Sequence, residues 1–183
     1  MTKKMQLPEI VEAARAGDRA ALEALYRELA PAVLGYLRAQ GAREAEDLAS
    51  ETFVGVVRGL GRFRGDERAF RSWVFSICHR RLIDERRRLA RRPEDLVAPA
   101  ELPELAGGDV EDEAITRVDS GWAGRVVAGL TEDQRDVLLL RVVADLPVEE
   151  VARILGKSGG AVKSLQRRAL LSVARQIDRE GVS

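Results

Sequence analysis

PVEEVARILGKSGGAVKSLQRRA, residues 147–169, holds two short helical patterns separated by a glycine. Pro147 suits a first helical turn, and Glu149 and Glu150 follow where a helix N-terminus favours negative charge. Val148, Val151, Ala152 and Leu155 recur at the spacing of one buried face. Gly156 ends that helix, Ser158 can cap the next, and Val162, Leu165 and Ala169 restart the stripe. Two short helices joined by a tight glycine-containing turn form a helix-turn-helix. With its stripe inward, the second helix turns Lys163, Gln166 and Arg167 outward, flanked by Ser158, Ser164 and Arg168. These are side chains that read base edges and grip phosphates in a major groove. Gly159 and Gly160 would let backbone N–H groups come close to a phosphate.

Working back toward the N-terminus, Thr131 and Gln134 in TEDQ make a capping box for a helix through EDQRDVLLLRVVA. This second unit begins near Ser120. Before it, residues 93–119 carry Pro93, Pro99, Pro103 and Gly107-Gly108 among acidic residues that include Glu111, Asp112 and Glu113. Such a composition reads as a flexible acidic linker. The first unit, residues 1–92, is again helical. Asp18 can cap a helix through DRAALEALYRELAPAVLGYLRAQ, with Pro31 as an expected kink or joint. Ala45, Leu48, Ala49, Thr52, Phe53, Val56, Val57 and Leu60 make a one-sided stripe. The expected fold is therefore all-α: two small helical domains joined by the linker, the C-terminal one (120–183) a helix-turn-helix.

The chain balances 30 Lys+Arg against 30 Asp+Glu, yet Arg80, Arg81, Arg86, Arg87, Arg88, Arg91 and Arg92 gather in one short stretch. The acidic linker cancels them on paper only, and a charged partner feels the local field. Just before them, GRFRGDERAFRSW mixes Arg62, Arg64, Arg68 and Arg71 with Phe63, Phe70 and Trp73. Cations beside aromatics suit single-stranded or flipped bases. Spacing assigns Trp73 to the core with Phe70 and Ile77, leaving Phe63 and the loop arginines for nucleic acid. On the stripe helix, Asp47, Ser50, Glu51, Val54 and Arg58 share the outer face. Acid with an exposed valine repels DNA and suits a protein partner, although a solvated face carrying a stray valine fits the same pattern.

Composition narrows the remaining classes. No apolar run reaches the roughly 18 residues a bilayer span needs, and the N-terminus lacks a long apolar signal core, so a cytoplasmic chain is expected. A single cysteine, Cys78, excludes an internal disulfide, and with one histidine, His79, it cannot build a protein-only zinc site. Both read as structural. No cofactor and no catalytic residue is expected, because the carboxylates form no metal-binding or acid-base constellation.

Taken in order, these motifs resemble the extracytoplasmic-function (ECF) sigma factors, the promoter-specificity subunits of bacterial RNA polymerase in the sigma-70 family. Ala45, Glu46, Asp47, Leu48, Glu51 and Phe53 match a pattern like A-E-D-L-x-x-E-x-F. Phe70, Arg71, Trp73, Ile77, Asp84 and Arg87 match the pattern that follows it, with Cys78 where Ala is usual and Arg80 where Asn is common. The Leu-Pro-x-x-Glu-Val-Ala stretch, Ala-Val-Lys-Ser and Arg168-Ala169 resemble the family's closing helix-turn-helix. The resemblance implies that Asp47, Ser50, Glu51, Val54 and Arg58 dock on the coiled coil of the polymerase's largest subunit. It implies that Arg62, Phe63, Arg64, Arg68, Arg71, Arg80, Arg81, Arg87 and Arg88 hold melted minus-ten DNA. It implies that Ser158, Gly160, Lys163, Ser164, Gln166, Arg167 and Arg168 read the minus-thirty-five element. It further implies an anti-sigma factor as partner, no membrane contact by this chain, and an acidic linker lying in the polymerase's RNA path. The alternative is a stand-alone helix-turn-helix regulator that binds duplex DNA without polymerase; a helical nuclease and a DNA-free scaffold rank below it.

Overall fold

The computed structural model describes residues 7–91 and 124–180, and the linker expectation lies outside them. The order is α1 (Leu7–Arg15), α2 (Arg19–Ala39), α3 (Ala45–Leu60), α4 (Glu67–Ala90), a short α5 (124–128), α6 (Glu132–Val142), α7 (Val148–Leu155) and α8 (Gly159–Glu180). Local chemistry sets these ends. Asp18 caps α2, its carboxylate accepting from the N–H groups of Ala20 and Ala21. Asp66 caps α4 through the N–H of Ala69 at 2.8 Å. The Thr131/Gln134 capping box is formed in both directions. Gly156 closes α7 in the left-handed region at φ 63°.

Pro31 does not divide α2 as a joint: the helix runs through it from Arg19 to Ala39. Pro31 is exposed, so water can serve the carbonyl whose helical donor the ring removes. A second correction concerns Val57, placed by spacing in the buried stripe but 52% exposed. The α3 stripe is narrower than the sequence suggests, because Ala49, Thr52 and Val56 already fill the seam.

The apolar core is continuous across both helical units. Leu29, Val33, Tyr36 and Leu37 of α2 meet Phe70, Val74, Phe75 and Leu82 of α4, and the same cluster extends to Val137, Leu140, Leu146, Val151 and Val162. Between α2, α4 and α6 lies a buried polar chain. Arg86 donates to the Gln40 side-chain oxygen at 2.8 Å, which orients that amide. The Gln40 nitrogen then donates to Asp136 at 2.6 Å and to the Tyr36 hydroxyl at 3.3 Å. The Tyr36 hydroxyl is hydrogen-bonded in turn to His79 Nδ1 at 2.8 Å.

Burial shifts His79, Asp136 and Tyr36 of this polar chain against their charged forms. Burial lowers the His79 pKa, with Asp136 and Glu132 opposing and Arg86 reinforcing. Burial raises Asp136 and Tyr36. Next to His79, the Cys78 thiol is fully buried and pushed up to about 12 by burial, as its structural reading requires. The sign for His79 follows from linkage: its folded pKa lies below its ordinary 6.5, so the unfolded chain takes up that proton first. Stability is intact above that ordinary value and lost as pH falls below it. Urea melts of the native chain are expected to lose midpoint between about pH 7 and pH 5.5, and His79→Gln should flatten that slope. Equal slopes in the two proteins would remove His79 from the account.

Candidate nucleic-acid and partner-docking surfaces

The first surface is the outer face of α3. Asp47, Ser50, Glu51, Val54 and Arg58 are all exposed, with Val54 at 47%, and Val57 widens the apolar part. Ser50 Oγ donates to the Glu46 carbonyl at 2.9 Å, and Glu46 pairs with Arg38 at 2.6 Å. That hydrogen bond from Arg38 holds the Glu46 carboxyl below its ordinary range. Beside this face runs an apolar groove of about 1010 Å³ between α2 and α3, lined by Leu22, Tyr26, Pro31, Leu34 and Ala49 and reaching Ser50. Tyr26 packs on Phe53 with ring centroids 4.7 Å apart while remaining half exposed. Sequence reasoning missed Tyr26. Its signal was an aromatic one step off the Leu25–Leu29–Val33 stripe.

The second surface is the joint before α4. Arg62, Arg64 and Arg68 are exposed as expected. Arg64 donates to the carbonyls of Gly61 at 3.0 Å and Phe63 at 2.6 Å, bracing the loop. Phe63, expected to be free for bases, is half-buried: it stacks on Trp73 at 5.1 Å and 25° and meets Phe70 edge-on at 78°. Gly59 makes that stack possible, since a Cβ there would lie 2.6 Å from Trp73 Cζ2. Arg71 is also turned inward, its Nε donating to the Ala144 carbonyl at 2.6 Å.

Along α4 the arginines separate by helical phase rather than forming one strip. Arg80, Arg87 and Arg91 lie on one exposed side with Asp84, which is 3.7 Å from Arg87. Arg81 and Arg88 turn toward acids of the α3 region, 3.8 Å from Glu51 and 3.9 Å from Glu44 respectively. Exposed pairs this long contribute little and part readily for a phosphate. Arg86 departs from the expected cation run altogether. It bonds Gln40 and, at 2.7 Å, Glu132 of α6. Arg62, Arg68 and Arg80 have no ion-pair partner among the described residues. Arg92 lies outside the described residues.

The third surface is α8. Val162, Leu165 and Ala169 are buried as the spacing predicts, while Lys163, Ser164, Arg167 and Arg168 are exposed and Gln166 is half-buried. Ser158 Oγ accepts the Ala161 N–H at 3.2 Å, and Gly160 faces open space. Nothing in the packing demands a glycine at 160, so its effect is to leave the first-turn backbone bare. Lys157 reaches Asp133 at 3.0 Å and fastens the turn to α6. Leu170 and Leu171, both exposed, extend this face with an apolar step.

Among the described residues no group of three or more His, Cys, Asp or Glu is placed to hold a metal, and no helix is long and apolar enough to cross a membrane.

Known protein families match both helical units. The family profile "Sigma-70 region 2" matches residues 25–92, and "Sigma-70, region 4" matches residues 126–175. The ECF RNA polymerase sigma factor ShbA of Streptomyces griseus is 36% identical, over 88% of this chain and 90% of that protein. The ECF RNA polymerase sigma factor SigD of Mycobacterium tuberculosis is 32% identical, over 90% of this chain and 81% of that protein. The solved structure of CnrH in complex with the cytosolic domain of CnrY shares the fold with a TM-score of 0.66 at 22% identity, covering 93% of this chain and 96% of that one.

The aromatic joint yields a direct test. Gly59→Ala forces the rigid Trp73 ring off Phe63 and is expected to cost about 1–3 kcal/mol of stability, with a shift in tryptophan emission. A variant as stable as the native chain with unchanged emission would show that the joint tolerates a Cβ.

Proposed function

The chain belongs to the ECF sigma factors of the sigma-70 family and is a promoter-specificity subunit of RNA polymerase; we propose that three of its surfaces divide that work. Residues 1–92 dock on the polymerase core and handle minus-ten DNA, residues 93–119 link, and residues 120–183 read the minus-thirty-five element. The observation that carries this division is the segregation of chemistry by helix. Acid and valine lie together on α3, exposed arginines on the joint and α4, and Lys163, Ser164, Arg167 and Arg168 on α8.

On α3, Asp47, Ser50, Glu51, Val54 and Arg58 meet the largest-subunit coiled coil. The acids supply orientation and encounter rate, and the valines supply buried area. At the joint and on α4, Arg62, Arg64, Arg68, Arg80, Arg81, Arg87 and Arg88 hold the separated strand. Opening DNA costs about 1.4 kcal/mol per base-pair step, so the strand must be kept by cations and stacking. Phe63 serves through its edge and its support of Trp73 rather than as a free platform, and Arg71 must first leave Ala144. On α8, Gln166 and Arg167 read base edges while Ser158, Gly160, Lys163, Ser164 and Arg168 meet phosphates.

The protein works in the cytoplasm, where core polymerase is found, and performs no catalysis itself. CnrH was solved with the cytosolic domain of CnrY, and a protein partner, an anti-sigma factor, is likewise proposed for this chain. The stand-alone regulator has no comparable support.

Mixing the full chain with sigma-free core polymerase should give co-elution on gel filtration, and the Asp47→Arg, Glu51→Arg double variant should elute free. If both co-elute, α3 is not the docking face. In the assembled holoenzyme, Lys163→Ala is expected to reduce the salt slope of promoter binding by about one, nearly independent of sequence, whereas Gln166→Ala should relax base preference at one position. An unchanged slope would remove Lys163 from the phosphate set.

A further inference from the structure

Lys163, Gln166, Arg167, Leu170 and Leu171 line one shallow recess on the outer surface of α8. The two leucines are 50% and 52% exposed, and no other leucine among the described residues is exposed. Neither joins the apolar core, which takes Val162 and Leu165 from the same helix. Their helical phase separates them. At about 100° per residue, Leu170 falls between Gln166 and Arg167, one turn further along, whereas Leu171 stands on the side of Ser164 and Arg168. The surroundings are cationic: α8 carries Lys163, Arg167, Arg168 and Arg175, and no Asp or Glu between Gly159 and Ile177. A leucine set among cations meets whatever the cations draw in, and the polyanion that fits this face is duplex DNA. The apolar group that a duplex offers in its major groove is the C5-methyl of thymine.

We propose that Leu170 is a specificity-determining residue of the minus-thirty-five interaction, its side chain packed on the C5-methyl of a thymine in the major groove. The proposal rests on the reading of α8 as the DNA-reading helix and adds an apolar contact to it. Leu170 lies four residues beyond Gln166, or about 6 Å along the helix axis, and base pairs are stacked about 3.4 Å apart. The thymine therefore lies about two base pairs from the base that Gln166 meets, so α8 runs along the groove rather than entering it end-on. Adenine paired with thymine and adenine paired with uracil offer the same hydrogen bonds, so an apolar contact is what tells them apart. Gln166 and Arg167 are blind to that difference, and Leu170 is not. Leu171, turned toward the phosphate side of the helix, takes no part in the reading.

The probe is a promoter fragment captured from genomic DNA by the holoenzyme. Each thymine of its minus-thirty-five element is replaced singly by deoxyuridine, which removes the methyl and keeps the pairing. Holoenzyme carrying the native full chain is expected to lose about fourfold in affinity at one thymine, the factor that burial of one such group carries. Leu170→Ala should lose about fourfold on the unmodified fragment and nothing further with deoxyuridine at that position. Leu170→Met, which keeps the apolar reach, should retain most of the deoxyuridine penalty. Leu171→Ala makes the same kind of change outside the base-facing strip and should keep that penalty in full. Equal penalties in native and Leu170→Ala holoenzymes, or no penalty at any thymine, would overturn the proposal. So would loss of core polymerase by Leu170→Ala on gel filtration, which would make the leucine a protein contact. If Gln166→Ala still relaxes base preference at one position, the reading of α8 survives that failure. If neither the Gln166 nor the Leu170 variant changes promoter binding, α8 is not the reading helix and both conclusions fall.

Discussion

The side chain of Gln40 stands where the two halves of the molecule meet. It is the C-terminal cap of α2, nearly fully buried, and its amide accepts from Arg86 while donating to Tyr36 and Asp136. An amide buried in this way is tolerable only when each of its polar atoms is engaged. That requirement draws Arg86 out of the exposed cation set and ties α6 to α2 and α4.

Much of the architecture was legible because short-range chemistry dictates it. Asp18, the Thr131/Gln134 box, Gly156 and Ser158 act within one turn of where they stand, and each end lies where those residues put it. The Val162–Leu165–Ala169 stripe and the α3 outer face follow from a single helical period. Legibility failed where the outcome depends on a distant partner. Arg86 looks like any neighbouring arginine until Gln40 and Glu132 are brought to it, separated by 46 residues in either direction. Phe63 reads as a loop aromatic until Gly59 admits the Trp73 ring beside it. Pro31 reads as a break until its solvent-facing position is known.

The zero net charge conceals two levels of sorting. Along the chain, basic and acidic residues separate into consecutive segments. In space, the arginines of α4 separate again by helical phase, into a free side, a side facing Glu44 and Glu51, and one inward residue. The middle group holds Arg81 and Arg88 loosely against Glu51 and Glu44.

Cys78 has a practical consequence. It is the only cysteine in the chain, it is fully enclosed, and its thiol is pushed up to about 12 by burial. Thiolate, the species that reacts with maleimides, is thus scarce and unreachable at neutral pH. A cysteine introduced anywhere on the surface becomes the sole reactive thiol without first mutating the native one. Dyes and spin labels can be attached site by site to an otherwise unaltered core.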